Sequence, residues 1–476
     1  MGIEQAPFTS LNWLLMDPQQ IPKRSKFWFR KSVQVDTPVV NILDWINLVC
    51  IFVFALLSFI IFWPIISKIN FEEAFFTPLV PFLISLFGIL KINAQDAIRI
   101  LFITSFIIST VGIYLLVYDL TKRRITSILA SIVYLVPPMP ILILSFFFPR
   151  RYESELISAK SFFTIIYGDG ANFLALALIA LAALSFLRFL KCAKGNDLLT
   201  TVSFCTLILL ASRSQALNLF LVLLVVTLTE LFLGCARVKI KRLLLVLLIS
   251  LGLVSFWYTP GFWRETLLDF FRILNTNLKY LFPLPLTVAL LALFVSFVFF
   301  ARRENRQPIF LSFLLFIIFL ILVGDWLTNG RSLLPHPQRL IPNLNMFAAI
   351  VVALSLTVIV DSLHIAERIA ADSWSIAGKV LGALVFGVAS FILLAVSAFI
   401  LSPWVISLVS GPNGIWIKIK TSVLADRQET LVLAGRNFEL IRQHTDGWQL
   451  WLGIALSLVF IAILIYVVSK DEEEEG

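Results

Sequence analysis

Long apolar runs, broken at intervals by short basic clusters, dominate the chain from Trp45 onward. A helix needs about 20 apolar residues to cross a hydrocarbon layer about 30 Å thick, because each backbone N–H and C=O must find its partner within its own helix. About twelve segments meet that need: Trp45–Ile66, Ala97–Tyr118, Ile125–Phe148, Asn172–Leu190, Leu198–Ala211, Ala216–Leu233, Leu243–Tyr258, Leu281–Phe300, Pro308–Val323, Ile341–Val360, Val380–Leu401 and Leu450–Val468. Phe75–Leu90 falls short of it and carries Pro78 and Pro81, so it is read as a helix lying on the outer membrane surface. A short tilted crossing is the alternative, and it would invert everything downstream. Pro137-Pro138 removes two donors from the third span and predicts a break in mid-membrane, as either a break lining protein or water or a packing kink.

Orientation follows from the short connectors, since positive charge beside a span end resists translocation. With the N-terminus inside, the cytoplasmic connectors carry Lys122-Arg123-Arg124, then Arg188, Lys191 and Lys194, then Arg237, Lys239, Lys241 and Arg242, then Arg302, Arg303 and Arg306. The opposite connectors, Ser67–Asp96, Pro149–Ala171, Thr259–Tyr280, Gly324–Leu340 and Ser402–Gln449, are mostly long and mixed in charge. Both termini are thus expected in the cytoplasm, with the protein in the plasma membrane.

The organisation predicted is a cytoplasmic N-terminal segment (1–43), a transmembrane domain (44–401), an extracytoplasmic loop (402–449), a last transmembrane helix (450–468) and an acidic cytoplasmic tail (469–476). Within 402–449, alternating residues at Trp416–Lys420, Glu429–Leu433 and Phe438–Ile441, punctuated by Gly411-Pro412-Asn413-Gly414 and Asp446-Gly447, predict a small β-element. Met1–Asp44 is mixed polar with Lys23, Arg24, Lys26, Arg30 and Lys31, unlike a cleavable signal peptide, so the first span reads as a retained signal anchor.

Composition agrees with a bilayer as solvent: 59% of the residues are hydrophobic and 14% charged, more apolar surface than a soluble core of this length could hide. The net charge of +9 is spread over connectors rather than gathered in a long basic tract, which argues against nucleic acid as a partner. Cys50, Cys192, Cys205 and Cys235 form no CxxC pair, and the three histidines, His336, His364 and His444, stand far apart. No zinc site or secreted-type disulfide framework is legible, and no cofactor is identified. Glycine-loop, GxSxG, HExxH and DxD signatures are absent as well.

Candidate chemistry therefore concentrates on the expected outer face. Glu72 and Glu73 precede the surface helix, Arg150 and Arg151 follow the third span, Arg213 occupies a short turn, and Arg331, His336 and Arg339 crowd the connector before Ile341. Basic residues beside outer span ends run against the positive-inside bias, and such a ring suits a lipid-linked phosphate. Ordinary exposed loop charge is the competing account of each.

Four stretches carry a family resemblance: Gly112–Pro138, Tyr167–Leu178 (YGDGANFLALAL), Ser255–Trp263 (SFWYTPGFW) and Pro337–Pro342 (PQRLIP). With the first span, its acidic loop and the surface helix, they resemble C-type (GT-C) membrane glycosyltransferases. They are most similar to the uncharacterised membrane proteins labelled 6-pyruvoyl-tetrahydropterin-synthase-related, a label that implies no pterin chemistry here. The resemblance implies an all-α, GT-C-like polytopic fold and a transferase using a polyprenyl-phosphate-linked sugar, with an acceptor (glycan, protein or lipid) approaching from outside. It implies Glu72 or Glu73 as the group acting on the acceptor hydroxyl, directly or through a divalent metal, and Arg150, Arg151 and Arg339 as holders of the leaving phosphate. Asp169 stays open as a second acid and His336 as a substrate contact. The chain departs from the family in offering Glu where Asp is usual. A transporter or flippase of a lipid-linked substrate, and a non-catalytic scaffold of the cell envelope, are the other readings.

Overall fold

A computed structural model describes residues 44–66, 77–135, 170–213, 215–231, 236–277, 290, 307–329, 340–362 and 447–475. Among these the secondary structure is all helical: α1 (Trp45–Ile66), α2 (Leu79–Ile89), α3 (Ala94–Thr121), α4 (Arg124–Leu135), α5 (Gly170–Cys192), α6 (Gly195–Ala211), α7 (Gln215–Leu231), α8 (Ala236–Leu253), α9 (Pro260–Asn277), α10 (Gln307–Asn329), α11 (Ile341–Ser362) and α12 (Trp448–Glu475). The expected β-element, the span Val380–Leu401 and nearly all of Leu281–Phe300 lie outside the described residues.

Several helices are long and apolar enough to span a membrane, which fits an integral membrane protein in contact with lipid. Among the described residues these are Trp45–Trp63, Ala94–Thr121, Ala171–Cys192 and Trp448–Ser469. They number four among the described residues, and the dozen expected is not confirmed by them. α6, with 17 residues, is about 25 Å long, short of the hydrocarbon thickness. α4 is described to Leu135, and the break expected at Pro137-Pro138 lies outside the described residues.

Two expectations in the connectors need correction. α8 begins at Ala236 rather than near Leu243, so Arg237, Lys239, Lys241 and Arg242 are helical, and it ends at Leu253 in a turn that runs to Tyr258. The connector Thr259–Tyr280 contains α9, with Leu267, Leu268 and Phe271 exposed on one face at helical spacing. At the C-terminal end of the expected outer loop, Trp448 and Gln449 are the first residues of α12.

α2 has 11 residues, about 17 Å, roughly half of what a crossing requires. It closes in a Schellman turn: Lys91 N–H donates to the Gly88 carbonyl at 2.9 Å and Ile92 N–H to the Phe87 carbonyl at 3.1 Å. Lys91 holds the left-handed position, with φ of 61°. This reversal sends the chain straight into α3, so α1 and α3 pack as antiparallel neighbours. Ser58 pairs with Thr110, Phe62 with Phe106 and Phe54 with Tyr114.

Contacts further along the chain fix the direction of each helix. α5 runs parallel to α3, as Phe106 in the middle of α3 meets Phe173 near the start of α5 and Asp119 meets Arg188 near the ends of both. Gly112 allows that approach, since a Cβ there would stand 3.3 Å from the Ala180 Cβ. α12 lies antiparallel to α8: Ser457 Oγ donates to the Gly252 carbonyl at 3.1 Å, and Gly453 abuts the Ser255 carbonyl. Gly453 and Ser457 form a small-xxx-small pair, the usual device for bringing membrane helices close.

These directions gather charge at one end of the bundle. There Asp119 accepts from Lys122 at 3.0 Å and from Arg188 at 3.0 Å. Glu230 accepts from Lys239 at 3.0 Å and from Gln307 at 3.1 Å. Arg124 pairs with Asp44, and Arg242 Nη1 donates to the last-turn carbonyl of Leu190 at 2.6 Å, capping α5. Five basic residues of the short connectors, Arg124, Arg188, Lys191, Lys239 and Arg242, thus pair with a group on another element. We call this the ion-paired end.

Candidate substrate site

The opposite end of the bundle carries a different kind of polar group. Asn172 in the first turn of α5, Ser212 in the turn after α6, Gln215 and Asn218 at the start of α7, and Asn343 at the start of α11 are all buried. Gln215 and Asn218 stand three residues apart at the head of a helix whose middle is apolar, so they project from one face. The antiparallel run of α6 into α7 and the parallel placement of α5 and α7 bring the other members to that face.

Hydrogen bonds join all five. Asn172 Oδ1 accepts from Ser212 Oγ at 3.1 Å and from Gln215 Nε2 at 2.9 Å. Gln215 Oε1 accepts from Asn218 Nδ2 at 2.8 Å and from Asn343 Nδ2 at 3.3 Å. The carbonyl oxygens of Asn218 and Asn343 are buried and meet no donor. With Gln215 and Asn172 oriented as they are, reversing either amide would set an oxygen against the Gln215 oxygen. A buried acceptor left without a donor costs about 1–3 kcal/mol. That cost is removed when a donor-bearing ligand or water enters.

An aromatic group adjoins this cluster through the same short turn. Arg213, next in sequence to Ser212, places its guanidinium 5.1 Å from the Phe262 ring centroid. The Tyr258 ring lies 5.2 Å from Phe262 and 5.4 Å from Trp263, and the Tyr258 hydroxyl donates to the Leu209 carbonyl at 3.2 Å. The indole N–H groups of Trp257 and Trp263 are buried without an acceptor. Thr77, just before α2, donates to the Ala211 carbonyl at 2.6 Å and ties the short helix to this end.

Comparison with protein-family models, curated proteins and solved structures finds no match to this chain. The site is therefore read from its own residues.

The candidates singled out in the sequence, Glu72, Glu73, Arg150, Arg151, Asp169, His336 and Arg339, lie outside the described residues. Three of them have described neighbours at the amide end: Thr77 follows Glu73 by four residues, Asn172 follows Asp169 by three, and Asn343 follows Arg339 by four. Among the described residues no group of three His, Cys, Asp or Glu side chains could hold a metal ion. Sequence reading passed over the amides because each is uncharged and sits at the edge of an apolar run. The Gln215/Asn218 pair, one helical turn apart, was the signal that could have found them.

Proposed function

We propose that the chain is a membrane glycosyltransferase-like protein that receives a polyprenyl-phosphate-linked sugar at the amide end, on the extracytoplasmic face. The observation that carries this reading is the buried amide cluster, with its two unmatched acceptors, beside Arg213 and the Tyr258–Phe262–Trp263 rings. Polar side chains buried among membrane helices with acceptors left unmatched are costly to keep, and a ligand that supplies the missing donors offsets that cost. The sidedness rests on the charge distribution: Lys122, Arg123, Arg124, Arg188, Lys191 and Arg242 all belong to the opposite end, which the positive-inside rule assigns to the cytoplasm.

In this reading the apolar tail of the donor lies in the bilayer against the helices. Its phosphate is held by cationic side chains, with Arg150, Arg151 and Arg339 assigned that role and Arg213 added to them. Glu72 or Glu73 takes the proton from the acceptor hydroxyl as that oxygen attacks the anomeric carbon, and the sugar–phosphate bond breaks with its electron pair leaving on phosphate. Asp169 and His336 complete the set of proposed contacts.

The test is transfer of a radiolabelled sugar from polyprenyl phosphate to envelope acceptors in membranes containing the chain. Glu72→Gln combined with Glu73→Gln is expected to abolish transfer while the thermal melting profile of the purified protein stays unchanged. Transfer persisting in that variant refutes the assignment. Binding of the donor without transfer by the unaltered chain would favour a flippase.

A further inference from the structure

The unmatched atoms of the amide end specify what can sit there. Asn218 is 1% exposed and Asn343 0% exposed, and in both the atom left over is a carbonyl oxygen. An oxygen acceptor repels an anion, so the phosphate of a ligand does not belong at these two positions. A metal cation is disfavoured too, because the cluster is made of neutral amides and a hydroxyl, and the formal charge on its turn, Arg213, is positive. What remains is a neutral donor. Hydroxyl groups are donors of that kind.

We infer that Asn218 and Asn343 are the acceptors for the ring hydroxyls of a neutral sugar headgroup, making the amide cluster a polyol subsite distinct from the place where phosphate is held. This inference deepens the proposed function and rests on it for the lipid-linked form of the ligand. The chemistry of the subsite itself, neutral hydroxyls on neutral amide oxygens, stands on the cluster alone.

The test uses the full chain in phosphatidylcholine nanodiscs and three probes: a short isoprenyl phosphate, the same phosphate carrying a hexose, and a methyl hexoside. Two hydrogen bonds to otherwise unmatched acceptors are expected to make the hexose-bearing phosphate bind about tenfold more tightly than the bare phosphate. Asn218→Leu and Asn343→Leu should each shrink that ratio, and the pair should bring it to one, with binding of the bare phosphate unchanged. A ratio that survives both substitutions overturns the inference, as does failure of the unaltered chain to bind either sugar probe. If the bare phosphate does not bind but the methyl hexoside does, and the substitutions abolish it, the lipid-phosphate reading fails while the polyol subsite stands. If the phosphate binds and the hexose adds nothing, the subsite fails alone. Should the leucine variants not fold, a diazirine-bearing hexoside on the unaltered chain decides the matter: crosslinks to peptides containing Asn218 or Asn343 support the inference, and crosslinks confined to other peptides overturn it.

Discussion

Replacing Glu230 with Met should destabilise the fold far more than replacing Glu230 and Lys239 together. The Glu230 side chain is 3% exposed and that of Lys239 9% exposed, with Oε2 and Nζ 3.0 Å apart. At that separation and an effective dielectric constant of about 20, the attraction is about 5 kcal/mol. Glu230→Met removes it and leaves Lys239 held by the backbone carbonyl of residue 230 at 2.7 Å, while Gln307 keeps the Thr229 carbonyl at 3.2 Å. A buried charge deprived of its partner costs about 3–5 kcal/mol. Lys191 does little to change this: it lies 3.9 Å from Glu230 with a side chain 41% exposed, where an ion pair is worth about 0–1 kcal/mol. With Lys239→Met added, two apolar side chains of similar bulk face each other and most of the loss should return. The double-mutant cycle is measured by equilibrium unfolding of the purified protein in mixed micelles, followed by tryptophan fluorescence. A coupling of about 2–4 kcal/mol is expected. Additivity to within about 0.5 kcal/mol would show that the two side chains do not support each other, and the account of the ion-paired end would fall with it.

Two further outcomes follow from the packing and the charge distribution. Gly453→Val drives a side chain into the Ser255 carbonyl, so it should loosen α12 from α8 and lower stability by about 1–3 kcal/mol, whereas Gly88→Ala, with nothing within 4 Å of the added carbon, should be neutral or slightly stabilising in the same melting assay. Cys192 is exposed at the ion-paired end; in a chain whose other cysteines are alanine, a membrane-impermeant maleimide should label it only after the cells are permeabilised, and labelling of intact cells would reverse the assignment of faces.

How far the sequence revealed these features depended on the kind of physical signal each one leaves. Trp45–Ile66 was bounded correctly because an uninterrupted apolar run needs no partner to announce itself, and α2 was read as too short to cross for the same reason of length. α8 was started too late because Lys239 and Arg242 look like loop residues in one dimension. In three dimensions they are buried, bound to Glu230 and to the carbonyls that end α5. α9 escaped notice because its apolar residues alternate with charge over too few turns to resemble a span. The amide cluster was the least legible, since its members come from three helices and a turn and none carries charge.

The contrast between the two ends also bears on which of them is the working one. At the ion-paired end the buried carboxylates Asp119 and Glu230 each have two or more nitrogen partners, Lys122 at the end of its own helix and Arg188 for Asp119, Lys239 and Gln307 for Glu230, and the bonds join α3 to α5 and α7 to α8 and α10. Such a network holds helices in place and has little left to offer a ligand. At the amide end the bonding stops short: three side chains are drawn together through Gln215 and Asn172, and the last two oxygens in the chain of bonds have nothing to accept. An arrangement kept only for packing could have replaced Asn218 and Asn343 by apolar residues and avoided that cost. Their retention as acceptors is accounted for when the missing donors belong to a ligand, and this is why the functional reading is placed at the amide end and the structural one at the other.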